Sequence, residues 1–161
     1  MSTTYSPATD ARIAASLLLL RDGAQGLEVL MLRRAERDGD LRSGAAVFPG
    51  GVVDPQDRDA HDCILGPDDS SATAALGLAQ GGLDYWVAAL RETFEEVGLL
   101  LADRPVDPAI VQPWRDRLQQ GHGSVAQMCR EHGFKLDARE LIYFSHWLTP
   151  PGHPKRFDTR F

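Results

Sequence analysis

The chain has 161 residues, 43% hydrophobic and 25% charged, with 15 glycines and 10 prolines. That is enough length and apolar content for one folded domain, which excludes wholesale disorder. With 17 basic against 23 acidic residues the formal charge is −6, so the electrostatics that bind a nucleic-acid backbone or an anionic membrane are absent as a global property.

Residues Met1 to Asp10 are small, polar and proline-containing; they read as a flexible amino-terminal arm (1–11), with the folded domain expected over 12–161. Ile13 to Leu20, with Ser16 inside it, reads as a buried strand. It is too short to span a bilayer and only Arg12 precedes it, so no signal peptide or membrane helix is visible and a cytoplasmic protein is expected. Leu27 to Leu32 reads as a second strand, and Asp22-Gly23 with Gly26 marks the loop of a hairpin.

A polar segment from Arg33 to Ser43 follows, and Gly44-Ala45-Ala46-Val47-Phe48 leads into a turn at Pro49-Gly50-Gly51. The acidic and then Ser/Ala/Gly-rich stretch to Gly82 reads as an insertion with at most one short helix. Asp84 is placed to cap a helix whose apolar positions Trp86, Ala89, Leu90, Thr93, Phe94 and Val97 recur at three and four, with Gly98 closing it. Leu99 to Ala102 suits a short strand. Asp107-Pro108 opens a helical region interrupted at Pro113, and Ser124 caps a short helix to His132, stopped by Gly133. Leu141 to Leu148 has the aromatic and apolar content of a strand.

The chemistry lies in Arg91-Glu92-Thr93-Phe94-Glu95-Glu96-Val97-Gly98-Leu99. Glu92, Glu95 and Glu96 are spaced by three and four, so their carboxylates share roughly one side of the helix, where they repel unless a cation sits among them. A solvated acidic face balanced by Arg91 is one reading. The other is a divalent metal site, for which oxygen ligands without His or Cys suit Mg²⁺ or Mn²⁺. Upstream, Phe48-Pro49-Gly50-Gly51 offers a turn that permits close backbone approach and a carbonyl as one more hard ligand.

Together these segments resemble the Nudix hydrolases, whose box reads Gly, five residues, Glu, seven residues, Arg-Glu-apolar-x-Glu-Glu-x-Gly-apolar. Gly51 fits the opening glycine, Asp57 stands where the family has Glu, and Thr93 where an aliphatic residue is usual. Between Asp57 and Arg91 lie 33 residues instead of seven, an insertion of 26 at about 58–83. An interrupted box is similar to the branch of peroxisomal acyl-CoA diphosphatases. So are Leu32-Arg33-Arg34-Ala35, Gly44-x-x-x-Phe48-Pro49-Gly50-Gly51, Cys129-Arg130-Glu131, His146-Trp147-Leu148-Thr149-Pro150 and Arg156-Phe157-Asp158-Thr159-Arg160-Phe161.

The resemblance implies an α+β fold, a Nudix-type mixed β-sheet flanked by helices as an α/β/α sandwich, with the family's last strands and final helix missing. It implies a metal-dependent hydrolase of the diphosphate bond in a nucleoside diphosphate derivative. The leading substrate is CoA or acyl-CoA, giving adenosine 3′,5′-bisphosphate and (acyl-)phosphopantetheine. Glu92, Glu95 and Glu96 would bind Mg²⁺ or Mn²⁺ with the Gly50 carbonyl, Glu92 would be a candidate base, and Arg91 would orient a carboxylate. Arg33, Arg34, Arg42, Gly44, Phe48 and Gly51 are the substrate-binding candidates, and Arg156 is a further basic one. The coenzyme A motif's interior Arg is replaced by Asp40 or displaced to Arg42, which keeps open another diphosphate substrate such as a nucleotide sugar, ADP-ribose or a dinucleotide. A non-catalytic nucleotide-binding module or a fragment also stays open, with a homodimer formed through an exposed sheet edge.

His61 and Cys63 read as loop residues of the insertion, His146 as a satisfied core histidine and Cys129 as a buried one. The two cysteines are 66 positions apart, and neither a disulfide framework nor a zinc knuckle is indicated.

Overall fold

A computed structural model gives the structure of residues 10–36 and 44–161. Most of the arm, Asp40 and Arg42 lie outside the described residues. The strands are β1 Arg12–Ser16, β2 Leu20–Gly23, β3 Gly26–Val29, β4 Leu32–Arg33, β5 Ala46–Val47, β6 Gly50–Val52, β7 Ile64–Leu65, β8 Leu136–Asp137, β9 His146–Leu148 and β10 Phe157–Arg160. The helices are α1 Asp69–Leu76, α2 Gly82–Val97, α3 Pro108–Gln119 and α4 Val125–His132, with a 3-10 helix over Pro55–Cys63.

A mixed four-stranded sheet in the order β6-β1-β10-β9 organises the molecule. β1 runs parallel to β10, with Ala15 opposite Arg160, and antiparallel to β6, with Ala15 opposite Gly51. The helix α2 lies against β1 and β6, and α1, α3 and the 3-10 helix pack around α2. The core they enclose includes Val87, Leu90, Phe94, Met128 and Leu136, each at most 3% exposed. This is a mixed α+β architecture in which one amphipathic helix fixes its box residues against the edge of a sheet.

The amino-terminal segment departs from a single long strand. β1 ends at Ser16, whose hydroxyl donates to Pro49 O at 2.8 Å, and Leu17 N–H donates to the same carbonyl at 2.9 Å. The chain then forms a separate hairpin, β2 with β3, in which Asp22 and Gly23 are strand residues paired with Leu27 and Gly26.

The insertion is more ordered than its composition suggests. Asp54 accepts from Gln56 N–H, and Asp57 Oδ2 accepts from Asp54 N–H at 2.7 Å, which closes a capping box on the 3-10 helix. Asp68 caps α1 and Gly77 ends it in a left-handed conformation, φ 65°. His61 and Cys63 belong to the 3-10 helix, with Cys63 buried.

Four further expectations are corrected. α2 begins at Gly82, capped by Gly81, and Asp84 lies in its first turn, accepting from Arg58 at 3.1 Å and paired with His61 at 2.7 Å. α3 continues through Pro113, and the carbonyl that loses its donor belongs to Ala109, an exposed residue, where the missing bond costs least. Of Leu141 to Leu148 only His146–Leu148 is strand, since Phe144 and Ser145 N–H both converge on Phe161 O. Leu99 to Ala102 contributes a single bridge, Ala102 to Leu136. Ser124 and Gly133 bound α4 as expected.

Candidate active site

β6 presents alternate residues to two different partners. Pro49 O and Val53 N–H face β1, bonding Leu17 and Ile13. Gly50 and Val52 face the other way, toward the charged residues of α2. Gly50 N–H donates to Glu96 Oε2 at 3.0 Å, and Arg91 Nη2 donates to Val52 O at 3.0 Å.

Arg91 is the hub. Its side chain is 13% exposed and reaches three carboxylates besides the Val52 carbonyl. Nε donates to Asp57 Oδ1 at 2.7 Å and Nη2 to Asp57 Oδ2 at 3.2 Å, a two-pronged pair with a carboxylate buried in the 3-10 helix. Nη1 donates to Glu92 Oε1 at 2.9 Å and to Glu95 Oε1 at 3.3 Å. Asp57, which replaces the usual Glu, therefore acts as the fixed anchor that aims Arg91.

Burial pushes the Asp57 carboxyl above the usual carboxylate range, against the pull of Arg91. Arg91 is held charged by Asp57, Glu92 and Glu95, which outweigh the cost of its burial. Burial likewise raises Glu95, opposed by Arg91, and raises Glu96, opposed by the Gly50 N–H and by Arg34. The charge of Glu92 pushes in the same direction on both.

The two glycines have separate reasons. A β-carbon on Gly51 would stand 2.3 Å from Glu92 Oε1, so the strand and the helix carboxylate meet only because that side chain is absent. A β-carbon on Gly50 would stand 2.4 Å from Ala15 O and 2.6 Å from Ser16 Cα, so this glycine lets β1 and β6 close.

Among the described residues, no three His, Cys, Asp or Glu side chains form a ready metal cage. The donor chemistry nevertheless fits Mg²⁺ or Mn²⁺. Glu92, Glu95 and Glu96 are hard oxygen donors whose mutual repulsion a cation would relieve, and Mg²⁺ characteristically takes one or two carboxylates and completes its shell with water and substrate phosphate.

The substrate-binding candidates separate. A groove of about 330 Å³ runs beside the glycine strand, lined by Arg34, Val47, Gly50, Gly51, Thr159 and Phe161 among others. Arg33 is turned to Glu36 at 2.5 Å, and Gly44 turns the chain beside them with φ 67°. Phe48 meets Phe161 edge to face, centroids 6.2 Å apart, so it supports the groove wall. Arg156 donates to Thr149 O at 2.9 Å and pairs with Asp10. His146 and Asp158 share a 2.6 Å hydrogen bond, and Asp158 is fully buried and also accepts from Arg160 at 2.9 Å.

Arg115 and Gln119 were not visible as site residues in the sequence, since no motif marks them. Arg115 donates to the carbonyls of Glu95 and Glu96, both at 2.9 Å, and Gln119 donates to Glu95 O at 2.5 Å.

The family model described as the NUDT19 Nudix domain matches residues 71–161. The acyl-coenzyme A diphosphatase NUDT19 of Gallus gallus is 31% identical over 178 residues, covering 83% of this chain and 47% of that protein. The protein of the same name from Homo sapiens is 31% identical, covering 86% of this chain and 48% of its own length. This chain thus spans about half the length of these curated relatives. The crystal structure of a NUDIX hydrolase from Alicyclobacillus acidocaldarius superposes with a TM-score of 0.73 at 33% identity, covering 96% of this chain and 69% of that one. With the box geometry and more than half of the chain matched, the protein belongs to the Nudix hydrolase family, in its NUDT19 branch.

Proposed function

We propose that this chain is a divalent-metal-dependent diphosphatase of coenzyme A or its acyl thioesters, releasing adenosine 3′,5′-bisphosphate and the matching phosphopantetheine. The observation that carries the reading is the Arg91 hub, which holds Glu92 and Glu95 from one part-buried guanidinium while Glu96 is held on the Gly50 amide. The substrate class is taken from relatives named as acyl-coenzyme A diphosphatases.

Glu92, Glu95 and Glu96, with the Gly50 carbonyl, would hold Mg²⁺ or Mn²⁺, whose chemistry when bound is neutralisation of charge on diphosphate oxygens and a lowered pKa for bound water. Arg91 keeps the carboxylates in place and does not touch substrate. Glu92 has Oε1 committed to Arg91, so Oε2 accepts the proton of the attacking water. The water oxygen bonds to phosphorus, the bridging P–O bond breaks, and the departing phosphate oxygen keeps the electron pair. Arg34 supplies the positive wall of the groove, with Gly51 allowing close approach along its floor. Phe48 backs its wall through Phe161, and Arg33, Gly44 and Arg42, the last outside the described residues, are further candidates for contact with the substrate.

The test is product analysis after incubation with CoA and Mg²⁺, in parallel with ADP-ribose and a dinucleoside polyphosphate, and with Glu96→Gln as control. Release of adenosine 3′,5′-bisphosphate from CoA, absent in the control, is the expected result. Cleavage of only another compound keeps the reaction class and replaces the substrate. Equal turnover by Glu96→Gln removes the box from the mechanism.

A further inference from the structure

A helix leaves its final carbonyls without intrahelical donors, and the last turn of α2 is the part that carries Glu95 and Glu96. Gly98 N–H takes Phe94 O at 2.9 Å. The next two carbonyls are claimed from outside the helix. Arg115 Nε donates to Glu95 O and Arg115 Nη2 to Glu96 O, so one planar fork spans two successive carbonyls, while Gln119 adds a second donor to Glu95 O.

Arg115 and Gln119 are one turn apart on α3 and so present their donors from one face. The guanidinium also places a positive charge at the negative end of the α2 dipole. Room for it comes from Gly98, where a β-carbon would stand 3.2 Å from Arg115 Nη1. The platform behind it is fixed. Trp114 is 4% exposed, its Nε1 donates to His132 Nε2 on α4 at 2.8 Å, and Arg117 lies over its ring at 3.9 Å.

We propose that Arg115, assisted by Gln119, is a positioning residue: it locks the last turn of α2 and so sets where Glu96 meets the Gly50 amide and where Glu95 meets Arg91. The inference rests on the function proposed for the box and extends it, because control of carboxylate placement passes to a helix outside the motif. Loss of the fork frees the last turn to fray, and Glu96 then loses its fixed distance to β6.

The test uses Arg115→Met, which keeps the packing of the stem and removes the donors, and Arg115→Lys, which restores the charge but cannot span both carbonyls. Three readouts separate the possibilities: amide hydrogen exchange in the free protein, Mn²⁺ binding by paramagnetic resonance, and kcat with KM for CoA. In Arg115→Met, exchange at the Gly50 amide and at amides 95–98 is expected to rise about tenfold or more, the loss of a charge-assisted bond, while amides 86–90 keep their protection. Mn²⁺ affinity and kcat fall together, KM is unchanged, and Arg115→Lys recovers part of each.

A Gly50 amide as protected in Arg115→Met as in the parent overturns the proposal. So does a frayed last turn with Mn²⁺ affinity and kcat at the parental level. A parent chain that cleaves no diphosphate removes the proposed function instead, and exchange at Gly50 then decides the positioning role by itself.

Discussion

The carboxylate of Glu92 occupies the space that a side chain on residue 51 would need, with Oε1 2.3 Å from the position of a β-carbon there. The carboxylate is the mobile end of a long side chain, so Gly51→Ala is expected to fold and to swing Glu92 off Arg91. Misplacement by about 1 Å costs on the order of 100-fold in turnover. Gly50→Ala meets backbone atoms of Ala15 and Ser16 instead, and is expected to cost about 3 kcal/mol of stability. Urea midpoints and turnover measured on both variants check the contrast; equal stability losses would refute it.

Thr93 is fully buried on the core face of α2, and among the described residues its hydroxyl has no hydrogen-bond partner. Val has the same shape without the stranded polar atom. Thr93→Val should stabilise the fold by about 1 kcal/mol, read as a higher urea midpoint with an unchanged slope. A lower midpoint would mean that the hydroxyl is satisfied.

Asp57 is buried, its side chain 1% exposed, and its partner Arg91 is part-buried at 13%. Neutralising Asp57 takes the two-pronged partner from a guanidinium that has little solvent to replace it. Asp57→Asn is expected to cost about 3 kcal/mol and to lower turnover through Arg91. A variant as stable as the parent would show that Val52 O and the box glutamates suffice to hold the guanidinium.

Cys129 gives an alkaline signature. Burial, with the Cys63 thiol beside it, pushes its pKa from 9.0 to about 12. The folded state therefore binds the proton more tightly than the unfolded chain does. Its contribution is complete below pH 9 and is lost as pH rises from there toward about 12. Urea unfolding from pH 8 to 10.5 should show falling stability above pH 9, and Cys129→Ala should show a shallower fall. Identical slopes in the two proteins would exclude the thiol as the cause.

Much of this arrangement is legible in the sequence because it is local. The spacing of Glu92, Glu95 and Glu96 fixes their common face, and Gly98 marks the end of α2 in a left-handed conformation, φ 79°. The insertion carries cap signals that its composition conceals. Asp54 with Asp57, and Asp68 with Gly77, are ordinary cap pairs hidden in a small-residue composition.

Other features depend on partners distant in the chain. Asp84 has the chemistry of a cap but is taken by Arg58 and His61, more than 20 positions earlier. Arg115 donates to backbone carbonyls, and a carbonyl has no letter in a sequence. Cys63 and Cys129 come together only because α4 packs on the 3-10 helix.

Among the described residues β6 lies at the boundary of the sheet, with β1 on one side only. Such a strand ordinarily offers a free amide and a free carbonyl to any passing chain, the usual starting point of edge-to-edge association. Here Glu96 takes the amide of Gly50 and Arg91 the carbonyl of Val52. The acidic helix thus screens the sheet it serves: a chain that added itself to β6 would first have to evict the two side chains that define the site.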